Sequence, residues 1–451
     1  MRQHPHVVTA VKNEMYNWRM WLGRALVLIY AAVAGLTIVA FTWLGEHALM
    51  AFHLMQSTYW WAPLIWTPLS TAAIVWITRR YFPGAAGSGI PQVMAALEPE
   101  AQGRARSLFV SVRLAVAKIL LTAWGLLAGL SLGREGPSVQ IAAGVMHNLR
   151  RWIPRQTQVS DHGLLIAGGA AGIAAAFNTP LGGVMFAIEE LSKNPEKRSN
   201  GLVLAAIVLS GMMAVSVYGN ASYFGVIRIE NLSFGLLFPA LCVSLASGVL
   251  GGLFSRLLLV SLSGTSNDWF TRMRSRFPIW FAAACGLFIV VMGLSSSGAT
   301  FGSGYAHTRA LLDNESENFF LYVPFKFIAT WLTTWSGVPG GIFAPSLAIG
   351  AALGRDIAQL TSYVNAPTLI ALGMAGFLAA ATQAPLTAFI IVMEMVDGHE
   401  LVLSLMTCAL VSSGVSRLIS APLYPGLAQL QLLRLPLVAA KKKEPRKAPK
   451  S

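Results

Sequence analysis

"AAAFNTPLGGVMFAIE" (Ala174–Glu189) and "AAATQAPLTAFIIVME" (Ala379–Glu394) are two copies of one pattern, 205 positions apart. Two more pairs occur in the same order at offsets of 215 and 208: "GSGIPQVMAALE" (Gly87–Glu98) with "GSGYAHTRALLD" (Gly302–Asp313), and "GREGPSVQIAAGV" (Gly133–Val145) with "GIFAPSLAIGAAL" (Gly341–Leu353). Because the offsets are nearly constant, the chain is predicted to be a duplicated unit. We expect repeats at 21–221 and 232–436, joined near 222–231 and flanked by segments 1–20 and 437–451.

The composition indicates which solvent surrounds these repeats. The chain has 451 residues, 55% hydrophobic and only 12% charged, whereas a soluble domain carries about 25% charged residues. Apolar stretches near the length of a bilayer span recur along it: Trp21–Leu44, Trp60–Thr78, Leu202–Tyr218, Phe234–Leu262, Ile279–Leu294 and Thr368–Val392. The sequence therefore predicts an all-α polytopic membrane protein that contacts lipid.

The net charge of +14 does not indicate nucleic-acid binding, because the basic residues lie at the edges of apolar stretches. They cluster at Arg79-Arg80, Arg150–Arg155, Lys193–Arg198, Arg272–Arg276 and Lys441–Lys450. This is the pattern of cytoplasmic loops. We expect both termini to lie in the cytoplasm.

Other function classes lack their residues. Cys242, Cys285 and Cys408 are isolated in apolar stretches, and the histidines show no paired ligand spacing, so neither disulfides, a resident metal nor another cofactor is predicted. No catalytic constellation of a membrane enzyme is recognisable. The sequence is not that of an enzyme.

Glycine and proline interrupt the apolar stretches at the repeated motifs, in Gly87–Gly89, Gly133–Pro137 and Gly337–Pro345. Repeated membrane units are often related by inverted topology, with broken helices around a site between them. A helix that begins inside the membrane presents unpaired N–H groups suited to an anion. Ser88 adds a hydroxyl donor, and the N–H groups of Ile342 and Phe343 precede Pro345. The simpler alternative is that glycine and proline are merely frequent in membrane helices.

Arg134 and Glu135 are adjacent charges within one break. Charges inside a membrane are costly and usually functional. An ionised Glu135 could occupy the place of an anion at the helix ends and leave it on protonation. Alternatively, the two residues could form a salt bridge in a surface loop.

Further charges allow similar alternatives. Glu189 and Glu190 end an apolar helix, where they could admit protons from the cytoplasm or simply be solvated. Arg113 and Lys118 could face the ion pathway or extend to the membrane interface.

These motifs carry a family resemblance. "GSGIP" (Gly87–Pro91), "GREGP" (Gly133–Pro137), "GGIFAP" (Gly340–Pro345) and "PLY" (Pro422–Tyr424) resemble the signature set of the CLC chloride channels and chloride/proton antiporters. Ala175–Glu190 is similar to another stretch of that family. The resemblance implies a homodimer with a separate pathway in each subunit, in the plasma (inner) membrane of a bacterium. From the short stretch after Tyr424, we expect no counterpart of the nucleotide-binding domain pair of eukaryotic members.

The resemblance also implies residue roles. The Ser88 and Tyr424 hydroxyls and the Ile342 and Phe343 N–H groups would bind the anion. Glu135 would be the external gating residue and Glu190 the internal proton-transfer residue. The expected function is chloride/proton antiport. The alternatives are a passive chloride channel and a fluoride/proton antiporter, although Ser88 favours chloride.

Overall fold

The computed structural model describes residues 18–101, 103, 105–152, 160–192, 201–219, 223–225, 234–313 and 321–433. Its helices are α1 (Trp18–Thr58), α2 (Ala62–Tyr81), α3 (Ile90–Leu97), α4 (Val112–Leu127), α5 (Glu135–Asn148), α6 (Asp161–Phe177), α7 (Pro180–Phe186), α8 (Gly201–Tyr218), α9 (Leu237–Ser263), α10 (Trp269–Arg276), α11 (Pro278–Ser295), α12 (Tyr305–Leu312), α13 (Tyr322–Ser336), α14 (Phe343–Leu360), α15 (Ala366–Thr382), α16 (Pro385–Met395), α17 (Val402–Ile419) and α18 (Leu423–Leu433). A π-helical turn, Ala187–Leu191, extends α7. Short 3₁₀ turns occupy Pro83–Ala85, Pro99–Ala101, Arg106–Leu108, Leu149–Arg151, Phe234–Leu236 and His399–Leu401.

Several predicted segments lie outside the described residues. They are most of the N-terminal segment 1–20, the basic segment 193–198, most of the junction 222–231, and the tail 437–451. The boundaries of the two repeats therefore stay a prediction.

Six helical segments of the described chain are long and apolar enough to cross a bilayer. They are Met20–Thr58, Arg106–Leu127, Gly201–Tyr218, Leu237–Ser263, Pro278–Ser295 and His399–Ile419. The apolar stretch Thr368–Val392 is not one span, because the chain breaks between α15 and α16. Gln383 ends α15 in the left-handed region with φ of 61°, and Pro385 begins α16 without an N–H group to continue the ladder.

The duplication is visible in the order and length of the helices. α3 and α12 have eight residues each and begin 215 positions apart, whereas α6 and α15 have 17 residues each and begin 205 positions apart. The left-handed residue after α6, Asn178 with φ of 58°, is the counterpart of Gln383. The same backbone path is therefore followed twice.

Small residues allow the central helices to pack closely. A methyl group on Gly350 or Gly354 of α14 would collide with the backbone of α15, and one on Gly172 of α6 would meet the backbone of Ser138 in α5. Van der Waals contact between closely spaced backbones is the main source of helix association in lipid. These tightly packed pairs form the fixed frame in which the broken helices begin.

Candidate anion site between the two repeats

The three broken stretches of sequence meet through backbone hydrogen bonds. The N–H of Gly133 donates to the carbonyl of Gly341 at 2.8 Å, and the N–H of Gly341 returns a bond to Gly133 at 2.7 Å. The N–H of Gly340 donates to Gly87 at 3.1 Å. A Cβ on Gly341 would lie only 2.9 Å from the Gly136 nitrogen, so glycine is required for this close approach.

Helices begin directly after these breaks. α3 begins at Ile90, α5 at Glu135 and α14 at Phe343. Each has a proline in its first turn, as is common at helix starts: Pro91, Pro137 and Pro345. The positive ends of three helices therefore lie at the meeting point of the two repeats.

Two hydroxyl groups lie at this point. Ser88 is 7% exposed and Tyr424, at the start of α18, is fully buried. Their hydroxyl groups lie close enough to interact, yet neither oxygen has a hydrogen-bond partner of normal geometry among the described residues. Buried polar groups are almost always paired, so two unpaired donors here fit an acceptor ligand such as an anion.

Aromatic rings form the wall beside these hydroxyls. Phe343 stacks on Tyr424 with 6.0 Å between the ring centroids, and Phe177 and Phe186 contact Phe343 at 6.2 and 6.4 Å. Ile342 and Phe343 are buried at 2% and 1% exposure. Their backbone N–H groups belong to the N-cap and first residue of α14, as the break predicts.

The Glu135 carboxyl group lies at the junction of the two repeats. The side chain is 1% exposed, and a Cβ on Gly133 would collide with Glu135 Oε2 and lie 3.3 Å from the Ala344 nitrogen. One carboxyl oxygen therefore lies beside an N–H group of the first turn of α14. A carboxylate placed there occupies space at a helix end that also suits an anion.

The alternative of an Arg134–Glu135 salt bridge does not agree with the structure. Arg134 pairs with Glu46 of α1 at 2.9 Å and also donates to the carbonyl of Thr42 at 3.2 Å and to the hydroxyl of Tyr223 at 3.0 Å. Neither carboxyl oxygen of Glu135 bonds to a side chain of the described residues, and the groups beside it include the backbone N–H groups of Arg134, Glu135 and Ala344. The adjacent charges thus point to different surroundings.

A cavity of about 540 Å³ opens beside Arg134. Its lining includes Glu46, His53, Tyr305 and His307. In the part of the chain that the structure describes, no group of three or more His, Cys, Asp or Glu residues is placed to hold a metal ion. The cavity therefore reaches Arg134, the residue that precedes Glu135, whereas Glu135 itself is not part of its lining.

Glu190 and Glu189 have different surroundings. Glu190 is 8% exposed in the π-helical turn after α7 and interacts electrostatically with Tyr424. Glu189 instead accepts hydrogen bonds from the N–H groups of Leu386 and Thr387, at 3.1 and 2.6 Å. It therefore caps the first turn of α16, so of the predicted pair only Glu190 faces the anion site.

The repeat supplies a counterpart of this cap. Glu394, 205 positions after Glu189, accepts from the N–H groups of Leu181 and Gly182 at 3.1 and 2.7 Å. Each of α7 and α16 is thus capped by a glutamate near the end of the other, so the two helices run antiparallel. The residue after Glu394 is Met395, so the second repeat has no counterpart of Glu190.

Two buried lysines bind the carbonyl groups of the breaks; Lys118 neither faces the ion pathway nor extends to the membrane interface, and Lys326 was not predicted from the sequence. Lys118 donates to the carbonyls of Ala85, at 2.8 Å, and Gly87. Lys326 donates to the carbonyls of Thr300 and Gly302 at 3.0 and 2.7 Å. Both side chains are fully buried. Their common spacing of 208 positions was the signal that could have revealed Lys326.

Arg113 lies apart from this site. It is exposed, and its guanidinium lies 5.3 Å from the centre of the Phe82 ring. Of the two basic residues in this part of the sequence, only Lys118 therefore touches the motif that carries Ser88.

The fold and site together define a polytopic helical membrane protein in which broken helices begin around a buried cluster of unpaired hydroxyl groups. A family model described as "Voltage gated chloride channel" matches residues 70–417. The chain therefore belongs to this family.

Individual relatives agree with that assignment. The chain is 31% identical over 424 residues to the H(+)/Cl(-) exchange transporter ClcA of Citrobacter koseri, covering 88% of this chain and 86% of the relative. It is 31% identical over 442 residues to the transporter of the same name from Klebsiella pneumoniae (strain 342), covering 90% of this chain and 89% of the relative.

Solved structures share the fold. A slow cyanobacterial Cl-/H+ antiporter superposes with a TM-score of 0.79 at 26% identity, over 91% of this chain and 98% of that one. A CLC-type fluoride/proton antiporter gives 0.74 at 24% identity over the same shares, which extends the likeness in fold alone.

Proposed function

We propose that the protein is a secondary chloride/proton antiporter. The observation that carries the proposal is the Glu135 carboxyl group beside the Ala344 N–H at the start of α14, next to two unpaired buried hydroxyls. The relatives named above exchange protons for chloride. Glu190, which interacts electrostatically with Tyr424, supplies a second proton-carrying group.

The proposed cycle uses these groups in turn. Chloride binds to the hydroxyls of Ser88 and Tyr424 and to the N–H groups of Ile342 and Phe343. Ionised Glu135 competes with chloride for the positive helix ends. Protonation removes the attraction, the carboxyl group leaves, and chloride passes while the proton moves between Glu135 and Glu190.

The setting of this cycle is proposed as well. We place the protein in a bacterial plasma membrane with both termini in the cytoplasm, because its basic clusters follow the positive-inside pattern. We propose a homodimer with one pathway in each subunit, on the basis of the family. Glu135 then faces the outside and Glu190 the cytoplasm.

The test is chloride-driven proton pumping by the protein in liposomes. The wild-type protein should move protons against their gradient when chloride flows. Glu135→Ala and Glu190→Gln should each keep chloride flux and abolish pumping, because each removes one proton carrier. Glu394→Gln is the matched control, since this carboxylate caps the N–H groups of Leu181 and Gly182 at the other end of α7, and it should still pump.

Other results would identify the alternatives. A reversal potential that stays at the chloride equilibrium value in a pH gradient would indicate a passive channel. Preference for fluoride over chloride in competition would indicate a fluoride/proton antiporter. Uphill pumping by Glu135→Ala would contradict the gating role.

A further inference from the structure

The segment between the two repeats brings a tyrosine to the gate. Tyr223 is held at its backbone and at its ring. The Tyr305 hydroxyl donates to the Tyr223 carbonyl at 3.0 Å, and the N–H of Phe224 donates to the carbonyl of Met395 at 2.8 Å. The Tyr223 ring contacts Phe224 and Tyr305 at 5.1 and 4.9 Å between centroids. The hydroxyl group of Tyr223 thus has a defined place.

That hydroxyl completes the surroundings of Arg134. The guanidinium of Arg134 donates to three acceptors, of which Thr42 and Glu46 lie on α1 and the third is the Tyr223 oxygen at 3.0 Å. Arg134 precedes Glu135 directly. Because these three acceptors bind the Arg134 guanidinium, it forms no ion pair with the neighbouring Glu135 carboxyl group.

We propose that Tyr223 is a positioning residue of the outer gate: its hydroxyl oxygen holds the Arg134 guanidinium against α1 and away from Glu135. The gating carboxyl group then exchanges its proton without an ion-pair partner. The inference rests on the gating role of Glu135 in the proposed function and assigns the residue that keeps Glu135 out of an ion pair with Arg134.

Among the residues that the structure describes, few charged or titratable groups face Glu135. Arg134, the N-cap of α5, interacts with it electrostatically, as do Tyr223 from the segment between the repeats and Tyr424 from α18. Glu46 of α1 lies behind Arg134 and pairs with it. α14 contributes the backbone N–H of Ala344. Arg134 is therefore the cation whose position decides how strongly ionised Glu135 is stabilised.

Removing the Tyr223 hydroxyl should redirect Arg134. Tyr223→Phe keeps the ring and its aromatic contacts but takes one acceptor from the guanidinium. The Glu135 carboxyl group has no side-chain partner among the described residues and is the acceptor one residue away. An ion pair would favour ionised Glu135, because opposite charges within a few ångströms stabilise each other. More acid would then be needed to open the gate.

The experiment measures chloride flux against external pH in liposomes. Tyr223→Phe should move the midpoint of activation to lower pH by about one unit, a tenfold increase in proton concentration, which is the low end of such effects. Tyr223→Gln, which restores an oxygen acceptor, should return the midpoint toward that of the wild type. Tyr218→Phe is the matched control: its hydroxyl donates to Val39 of α1 at 3.2 Å, and its loss should leave the midpoint in place.

A second background separates positioning from a structural role. In Glu135→Gln the group that Arg134 would capture is neutral, so adding Tyr223→Phe should change nothing further. An unchanged midpoint in Tyr223→Phe would overturn the proposal, as would an equal shift in both backgrounds. Failure of the proposed function would look different, since Glu135→Gln alone would then keep the pH dependence of the wild type.

Discussion

The reciprocal caps of α7 and α16 allow a stability prediction with a built-in duplicate. Glu189 and Glu394 each accept two backbone hydrogen bonds, at 3.1 and 2.6 Å and at 3.1 and 2.7 Å. Because the two geometries are nearly identical, Glu189→Gln and Glu394→Gln should lower the free energy of unfolding by similar amounts.

The magnitude follows from the geometry. Glutamine has one carbonyl oxygen, so each variant loses one bond outright and the charge on the other. A hydrogen bond to a charged group is worth about 1.5–3 kcal/mol, and an N-cap about 0.5–2 kcal/mol. We expect about 2 kcal/mol for each cap. The caps lie at opposite ends of α7, seven residues or about 11 Å apart along the helix, so their effects should add to about 4 kcal/mol in the double variant.

The assay is unfolding of the detergent-solubilised protein by increasing SDS, followed by tryptophan fluorescence. The prediction would be refuted if one variant lowered the free energy of unfolding by about 2 kcal/mol and the other by less than about 0.5 kcal/mol, because the two caps have the same geometry. If the double variant has the same free energy of unfolding as either single variant, the two helices separate once the first cap is lost. That result would contradict the additivity expected for distant sites.

Two further predictions concern the anion site. A methyl group at residue 136 would collide with Ser88 Oγ, so Gly136→Ala should displace one donor and weaken chloride binding at least about tenfold. Calorimetry measures this affinity. Gly414→Ala is the control, because its added methyl group meets nothing within 4 Å, and it should bind chloride like the wild type. Lys118→Met removes the hydrogen bond to the Gly87 carbonyl next to Ser88 and should weaken chloride binding. Lys326→Met removes the equivalent bonds to Thr300 and Gly302 and should leave the affinity measured by calorimetry unchanged.

Local patterns predicted much of this structure. The repeated motifs placed the breaks at Gly133 and Gly341, and helix chemistry predicted that N–H groups would begin a helix just before Pro345. Ser88 was found because its motif breaks an apolar stretch. These features depend on residues that are close in the sequence, so they could be predicted without knowledge of contacts between distant parts of the chain.

Long-range contacts were not predictable in this way. Tyr424 carries no local signal, since a tyrosine near a helix end is usually an interfacial anchor, and only the resemblance indicated it. The capping role of Glu189 depends on α16, nearly 200 residues later in the chain. The stretch Thr368–Val392 was predicted as one span because a hydropathy window does not register a turn of one or two residues.

The paired hydrogen bonds between Gly133 and Gly341 have a consequence for the type of motion that transport uses. Many transporters built from repeats work by rocking one repeat against the other. Here such rocking would break the two backbone hydrogen bonds between Gly133 and Gly341. Each buried amide left without a partner would raise the free energy by about 1–3 kcal/mol. Rotation of side chains about a fixed backbone breaks neither bond and is therefore the less costly movement for transport.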